Sequence, residues 1–286
     1  MFSISIYLAR PPIQYFKTKS THFKNKFIIY QLKDMHVVTT YFKVRRVAGS
    51  VFIGDDTFRD KEVRAMEYQS CIFRNLASPA VSNVHLIVQD DESMEDLLQS
   101  VVPRISSPFQ RLKLKTSLYP KAPEQPLYGD LFEYANTVLH NKTVMVCNAD
   151  IYLGKTFPTK AVEKQLSTPS KDSKQQVFAL SRYENEATMF APLIDDYRGS
   201  HDAFAFKSPI PPNFVAGVQH RQNCYKSENI VIHELRKAGL AVTNPCKDAH
   251  IFHLHEADLR QWMPSVDEDR YGRAWPCHLG ANDTGN

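Results

Sequence analysis

The sequence lacks any long run of apolar residues and has only a weak excess of positive charge. Nowhere do roughly 18 apolar residues follow one another, so we expect no membrane-spanning helix. The 286 residues carry a net charge of +4. Beyond residues 1–34 the basic side chains are scattered, whereas nucleic-acid-binding proteins usually carry a concentrated basic face. We therefore expect a soluble protein that binds no nucleic acid.

Three motifs of nucleotide-binding and hydrolytic enzymes are also missing. The sequence contains no GxGxxG, no GxxxxGK[ST] and no GxSxG. Their absence argues against a dinucleotide oxidoreductase, a P-loop enzyme and an α/β-hydrolase, in that order. The segment HELRK at 233–237 lacks the second histidine of a zincin motif. These four enzyme classes are therefore poor explanations of the chain.

The cysteines, two glycosylation sequons and the N-terminal segment give indications of the cellular compartment. The five cysteines are odd in number and include no CxxC pair, which argues against a disulfide framework or a zinc knuckle. A reducing compartment such as the cytoplasm is the simpler interpretation. Two N-x-S/T sequons, at Asn141 and Asn282, leave the lumen of the secretory pathway as an alternative. Residues 1–34 are lysine-rich and nearly free of acids, so we expect a basic N-terminal extension or a targeting segment.

The rest of the chain alternates short apolar runs with segments of helical period. This pattern predicts an α/β fold with a mostly parallel central sheet flanked by helices. The apolar run TVMVC at 143–147 predicts a central strand buried on both faces. Asp130 and Ser227 are expected to cap helices, and the polar stretch 158–175 is expected to be a mobile loop. The other predicted strands cover 36–42, 84–89, 111–116, 177–183 and 203–207, with short strands in VTNP and HIFHLH.

Asn148-Ala149-Asp150 follows immediately after the apolar run 143–147. A carboxylate at the carboxyl edge of a central parallel strand lies where such sheets bind ligands. Hard divalent cations take oxygen ligands, so Asp150 and the amide oxygen of Asn148 could share Mn²⁺ or Mg²⁺ with a diphosphate. The structural alternative is an Asx turn that closes the strand.

Two histidines in the late strand HIFHLH offer further metal ligands. Side chains alternate along a strand, so His253 and His255 are expected to point to one face and His250 to the other. The alternative is that both are ordinary core or surface histidines.

Two acids stand at the boundaries of predicted elements. Glu228 lies in the first turn of a predicted helix, where the helix dipole favours the charged form. It could therefore act as a general base near neutral pH without a large pKa shift. The dipole alone would also explain an acid at this position. Asp202, just before the strand 203–207, is the competing candidate.

Taken in order, these segments resemble the GT-A glycosyltransferases, particularly the large inverting group with a DXD metal motif. DLFEYANTVLHNKTVMVCNADIYL at 130–153 resembles the helix, turn and strand that lead into that motif. HDAFAFKSPI at 201–210 resembles the strand on the acceptor side. KSENIVIHELRKAGLAVTNP at 226–245 resembles the helix that begins with an ED pair. HLH at 253–255 falls where a late histidine often completes the metal site.

The resemblance assigns Mn²⁺ or Mg²⁺ to Asp150, assisted by Asn148 and one of the two late histidines, and makes Glu228 the base. Two positions depart from the family pattern. Asn148 replaces the first acid of DXD, which leaves Asp150 as the one carboxylate there. Asn229 replaces the second acid of the ED pair, so the role of base falls to Glu228.

The resemblance also divides the chain. Residues 35–286 would form a single GT-A-like catalytic domain, of the nucleotide-diphospho-sugar transferase fold, with a C-terminal tail that packs back on it. The nucleotide-binding half would cover about 35–155 and the acceptor-side half about 156–260. Contacts with the donor nucleotide would come from Thr39, Tyr41, Asp130 and Ala149.

The resemblance implies a glycosyltransferase, either a hexosyl- or a pentosyltransferase. It would move a sugar from a nucleotide-sugar donor to a glycan or other hydroxyl acceptor, with metal assistance and with inversion. A metal-dependent nucleotidyltransferase or phosphohydrolase could use the same carboxylate and histidines. A catalytically inactive glycan-binding relative is the third interpretation, because two acids of the family pattern are asparagines here.

Overall fold

A computed structural model describes residues 35–45, 51–53, 58–122, 124–257 and 260–282, so the extension predicted over 1–34 lies outside the described residues. In chain order the strands are β1 (Met35–Tyr41), β2 (Val51–Ile53), β3 (Asn83–Val88), β4 (Leu114–Leu118), β5 (Thr143–Cys147), β6 (Ile151–Leu153), β7 (Gln176–Leu180), β8 (Arg182–Tyr183), β9 (Ala203–Lys207), β10 (Ala241–Thr243), β11 (Ile251–His253) and β12 (Arg260–Trp262). The helices are α1 (Phe58–Ala77), α2 (Asp91–Asp96), α3 (Pro108–Lys113), α4 (Tyr128–Val138), α5 (Thr159–Leu166), α6 (Pro192–Asp195), α7 (Pro212–Gly217) and α8 (Ser227–Lys237). A π-helical turn (Leu97–Val101) and a 3-10 turn (Val102–Arg104) continue α2.

Seven of these strands form the central sheet, in the order β10-β7-β9-β5-β1-β3-β4. β9 runs antiparallel to both of its neighbours, β5 and β7, and the remaining pairs are parallel. β1 and β5 are buried along their whole length, as expected for strands covered on both faces. The predicted α/β fold with a mostly parallel central sheet is therefore confirmed.

Helices cover both faces of the sheet, and each face has its own core. Val37 and Val38 of β1 are neighbours in sequence but belong to different cores, because successive side chains of a strand point to opposite faces. Helices α1 and α5 pack on the face of Val37, and α4, α7 and α8 pack on the face of Val38.

Two predicted segments have a different structure. The stretch 158–175 is not a continuous loop, because α5 forms within it and buries Val162 and Leu166 in the core. The strand predicted over 111–116 begins later than expected, because α3 continues as far as Lys113.

Both predicted helix caps lie inside their helices rather than before them. Asp130 is the third residue of α4, and its carboxylate accepts the backbone N–H of Leu127 at 2.8 Å. Ser227 is the first residue of α8 and follows Lys226, which has a left-handed φ of 62°. The Ser227 hydroxyl donates to the backbone carbonyl of Gln222 at 2.7 Å. Each side chain thus ties the start of its helix to the chain that leads into it.

The strand order opens a crevice between the carboxyl ends of β1 and β5. The chain runs from β1 outward to β3 and β4, and then crosses to β5 on the other side of β1. Where the strand order reverses in this way, the loops that leave two neighbouring parallel strands separate and form a ligand-binding crevice.

A second sheet, in the order β6-β11-β8, carries residues to this crevice. β6 begins directly after Asp150, and β11 pairs with it so that His253 lies opposite Ile151. This pairing brings His253 next to Asp150. The C-terminal segment contacts α8, where Asn229 Nδ2 donates to the backbone carbonyl of Gly272 at 2.8 Å. All helices in the described parts of the chain are too short or too polar to cross a membrane.

Candidate active site

A pocket of about 280 Å³ lies at the reversal of strand order. Thr40 and Phe42 reach it from the end of β1. Arg64 of α1 and Arg182 of β8 add two guanidinium groups. Trp262 of β12 also lines the pocket. Five of the predicted site residues meet here: Asn148, Ala149, Asp150, Asp202 and Glu228.

Asp150 is held by two nitrogen-containing side chains. Arg64 Nη2 donates to Asp150 Oδ2 at 2.6 Å, and His253 Nε2 lies 3.2 Å from the same oxygen. Burial alone would raise the pKa of Asp150, but His253 and Arg64 hold this pKa well below its usual range. Asp150 is therefore ionised at neutral pH.

His253 lies between two carboxylates. Its Nδ1 is 2.8 Å from Glu184 Oε2, while its Nε2 faces Asp150. Burial alone would lower the pKa of His253, but Asp150 and Glu184 raise it to about 9. The ring stacks on that of His255, with centroids 5.2 Å apart and planes 12° apart. At neutral pH His253 is therefore a cation that donates to both carboxylates.

Arg64 connects the histidine pair to α1. Its Nη1 lies 2.7 Å from Glu67 Oε2 and 2.7 Å from His255 Nδ1. The guanidinium carbon stands 4.6 Å from the centre of the Tyr68 ring. The other oxygen of Glu67 accepts the backbone N–H groups of residues 256–257. Helix α1 therefore positions the segment that follows β11.

Asp202 is engaged in an ion pair. Arg182 Nη1 donates to Asp202 Oδ1 at 2.5 Å, and the Ser200 hydroxyl donates to Oδ2 at 2.5 Å. Asp202 is 3% exposed. Arg182 Nε also donates to Glu184 at 2.8 Å. A carboxylate with both oxygens occupied in this way is a weak candidate for the proton acceptor.

Glu228 is the acid of the pocket with a raised pKa. Burial, reinforced by the negative charge of Asp202, raises the pKa of Glu228 from 4.5 to about 7. The expectation that the helix dipole would leave this pKa near its ordinary value is wrong, because desolvation and a like charge outweigh the dipole. Glu228 can therefore accept and release a proton near pH 7.

Asn148 lies between the two sides of the pocket. Its Oδ1 accepts from the Tyr128 hydroxyl at 3.3 Å and from Gln222 Nε2 at 3.4 Å. The Thr40 hydroxyl donates to Gln222 Oε1 at 3.4 Å. The amide oxygen of Asn148 thus faces hydrogen-bond donors of other elements rather than the histidine pair.

Three residues predicted to contact the donor nucleotide do not line the pocket. The Tyr41 hydroxyl donates to an aspartate at the end of α2 at 2.6 Å, and its ring is buried in the core on the α1 side. Thr39 is buried as well. Asp130 accepts from the Tyr119 hydroxyl at 2.7 Å and serves the start of α4. Strand alternation presents Thr40, not its neighbours, to the pocket.

The predicted metal ligands come together only in part. Among the described residues, ligand atoms of Asp150, His253 and His255 lie within 4.8 Å of one another. Mg²⁺ and Mn²⁺ prefer oxygen ligands, yet this group offers one carboxylate and two imidazoles. Arg64 also contacts both Asp150 and His255, so a positive charge already stands between two of the three. The residues as arranged do not fit Mn²⁺ or Mg²⁺.

Three members of the charged cluster around His253, namely Arg64, Arg182 and Glu184, were not among the predicted site residues. Arg64 lies on α1, where a charged side chain looks like part of a solvated helix face. Arg182 and Glu184 flank Tyr183 at the end of a strand prediction. Because side chains alternate along a strand, residues 182 and 184 lie on the same side. This spacing could have indicated that both residues belong to the site.

A larger cavity of about 890 Å³ adjoins the histidine pair. Glu184, His253 and His255 contribute to its lining, together with Lys155 and Asn185. The charged cluster around His253 therefore borders two cavities, and Glu228 lines the smaller one.

No protein-family model matches the chain, and no curated protein matches it either. A structure from Desulfovibrio desulfuricans G20, provisionally assigned as a nucleotide-diphospho-sugar transferase, is 12% identical with a TM-score of 0.41, over 74% of this chain and 79% of that chain. 4-Diphosphocytidyl-2C-methyl-D-erythritol synthase is 12% identical with a TM-score of 0.36, over 80% and 92% of the two chains. UDP-glucose pyrophosphorylase from Acinetobacter baumanii is 12% identical with a TM-score of 0.27, over 68% and 75%. Likenesses this weak identify no reaction.

Proposed function

We propose that the chain is a glycosyltransferase that moves a sugar from a nucleotide-sugar donor to a hydroxyl acceptor, with inversion at the anomeric carbon. The observation that carries the proposal is Glu228, an acid with a pKa of about 7 in the pocket at the reversal of strand order. A general base works best when its pKa lies near the ambient pH. A crevice at the carboxyl ends of parallel strands is where α/β folds bind ligands.

In the proposed reaction, Glu228 takes the proton of the acceptor hydroxyl. The acceptor oxygen bonds to the anomeric carbon while the bond from that carbon to the donor diphosphate breaks. The electron pair of the broken bond stays on the leaving nucleoside diphosphate. A single displacement of this kind inverts the anomeric centre. Asp202 assists by keeping the pKa of Glu228 near 7.

The Mn²⁺ or Mg²⁺ expected from the sequence stays a prediction. A bound metal would supply Lewis-acid stabilisation of the diphosphate. Because Asp150, His253 and His255 as arranged around Arg64 do not fit such an ion, the proposed steps use only side chains of this chain.

Two other functions are rivals for specific reasons. A nucleotidyltransferase or phosphohydrolase could use the group of Asp150, His253 and His255, which borders both cavities. An inactive glycan-binding relative is suggested by Asn148 and Asn229, which stand where the resembled family has acids.

Incubation of the full chain with a panel of nucleotide-sugars separates these functions. Each donor is tested in EDTA and in MnCl₂, and the nucleotide products are resolved by chromatography. Release of a nucleoside diphosphate supports the transferase, with water as the substitute acceptor. Release of a nucleoside monophosphate with a sugar phosphate, or formation of a nucleoside triphosphate with a sugar phosphate when pyrophosphate is added, supports the rival enzyme. Binding without turnover supports the inactive relative.

A further inference from the structure

Arg64 stands where a cation bound to both Asp150 and His255 would stand. Its terminal nitrogens lie 2.6 Å from Asp150 Oδ2 and 2.7 Å from His255 Nδ1, so one guanidinium bridges these two side chains. The side chain is 13% exposed, and Glu67 and the Tyr68 ring fix it further. Contacts on four sides show that the chain builds this position for the guanidinium.

The chemistry of arginine matters at this position. A guanidinium is permanently charged and has five N–H donors in one plane, so Arg64 can contact a phosphate oxygen in addition to Asp150, Glu67 and His255. A divalent cation in contact with Asp150 and His255 would stand against this fixed charge, and the two would repel each other. Arg64 and Arg182 both line the pocket in which the proposed reaction takes place.

We infer that the guanidinium of Arg64, rather than Mn²⁺ or Mg²⁺, provides the positive charge that meets the diphosphate of the donor. This inference rests on the proposed function, since it concerns the leaving group of that reaction. Asp150 then has the role of a positioning residue, because it holds the guanidinium at the edge of the pocket. Asp150 also contacts His253, so Arg64 is one of two cationic partners of this carboxylate. A donor group fixed in advance costs no reorganisation during the reaction.

The test measures binding, by calorimetry, of UDP, GDP, CDP and ADP to the full chain in EDTA and in MnCl₂. We expect the nucleoside diphosphate that binds to do so with dissociation constants that agree within about threefold in the two conditions. Arg64→Ala should weaken this binding by about tenfold or more, because hydrogen bonds to a charged group are lost.

Arg104→Ala is the matched control. Arg104 also stacks on a ring of α1, that of Phe73 at 5.0 Å, and donates to Gln69 at 2.7 Å, but it does not line the pocket. Its loss should leave nucleotide binding unchanged. Arg64→Lys keeps one charge without the fork and should give an intermediate loss, which guards against misfolding of the alanine variant.

A metal titration gives a second readout. Arg64→Ala removes the cation that bridges Asp150 and His255, so in calorimetry this variant should bind Zn²⁺ or Mn²⁺ more tightly than the unmodified chain does. Nucleotide binding that appears only with MnCl₂, or a folded Arg64→Ala variant with unchanged nucleotide binding, overturns the inference and leaves the proposed function standing. If no nucleoside diphosphate binds in either condition, both are overturned.

Discussion

The two sides of the pocket use carboxylates in opposite ways. On the β5 side, Asp150 contacts Arg64 and His253, and its pKa is held well below the usual range. On the α8 side, burial and the nearby Asp202 raise the pKa of Glu228 to about 7. A paired carboxylate keeps its charge and positions its partners, whereas a desolvated one beside a like charge exchanges protons at neutral pH. This difference favours binding on the Asp150 side and proton transfer on the Glu228 side.

The largest effect on turnover is expected from substitution of Glu228. Glu228→Gln keeps the shape of the side chain but cannot accept the proton, so turnover should fall by about 10²–10⁴-fold. Binding of the nucleoside diphosphate should stay near that of the unmodified chain. Steady-state rates and calorimetry measure these two quantities. A Glu228→Gln enzyme of normal rate beside an inactive Asp202→Asn enzyme would move the base to Asp202.

A substitution on the Asp150 side of the pocket should instead weaken nucleotide binding and lower the stability of the fold. Asp150→Ala removes the carboxylate that Arg64 and His253 share. Arg64 keeps Glu67 and His253 keeps Glu184, so the loss should be smaller than the about 3–5 kcal/mol typical of a buried charge left unpaired. We expect a lower Tm, weaker nucleotide binding and loss of transfer. Thermal melts and calorimetry check this, with Asp150→Asn as the variant that keeps the shape. A folded Asp150→Ala variant with near-normal turnover would contradict the role of this side.

The pH dependence of the rate should follow Glu228. The base acts when ionised, so turnover should rise with pH through about 7, the pKa of Glu228. Asp202→Asn removes a charge that raises this pKa and should move the rise to lower pH. Asn148→Asp adds a charge to the same pocket and should move it to higher pH. Rate profiles of the three proteins test the order, and identical profiles would show that another group titrates.

The same pKa predicts a change in stability with pH. Because the pKa of Glu228 rises from 4.5 to about 7 on folding, its contribution to stability is full below about 4.5. That contribution is lost as the pH rises through about 7. The Tm of Glu228→Gln should therefore exceed that of the unmodified chain more at pH 8 than at pH 5. Melts at both values measure the difference.

The smallest effect on stability is expected from substitution of His255. His253 contacts two carboxylates, whereas His255 contacts Arg64 and stacks on His253. His253→Ala should therefore lower the Tm clearly, and His255→Ala only slightly. Equal losses in thermal melts would mean that ring stacking, rather than the contacts with the carboxylates, holds the pair.

The sequence predicts a strand well where all of its residues are buried. It predicts less well the features that depend on how the strand pairs with its neighbours. The run TVMVC required a strand covered on both faces, and it became β5. The antiparallel direction of β9 depends on how the chain crosses the sheet, which its sequence AFAFK does not encode. All of β1 is buried, so no polar alternation indicated that Thr40 rather than Thr39 faces the pocket.

The site was predictable to the extent that its residues mark the ends of elements. Asp150 follows a buried strand and Glu228 starts a helix, so position alone indicated both, and both line the pocket. Arg64 lies within a helix that also carries the exposed charged residues Arg59, Glu62 and Arg74. Its contact with Asp150 spans 86 residues of sequence, and only the folded chain brings the two together.

Proton NMR of the first sugar released from an α-linked nucleotide-sugar tests whether Glu228 is the base of a single displacement. The reaction is followed in its first minutes, before mutarotation, with water as the acceptor and Glu228→Gln as the matched control. We expect a β sugar together with a nucleoside diphosphate, and loss of both products in the control. An α sugar, or a sugar phosphate with a nucleoside monophosphate, would contradict single-displacement transfer with Glu228 as the base.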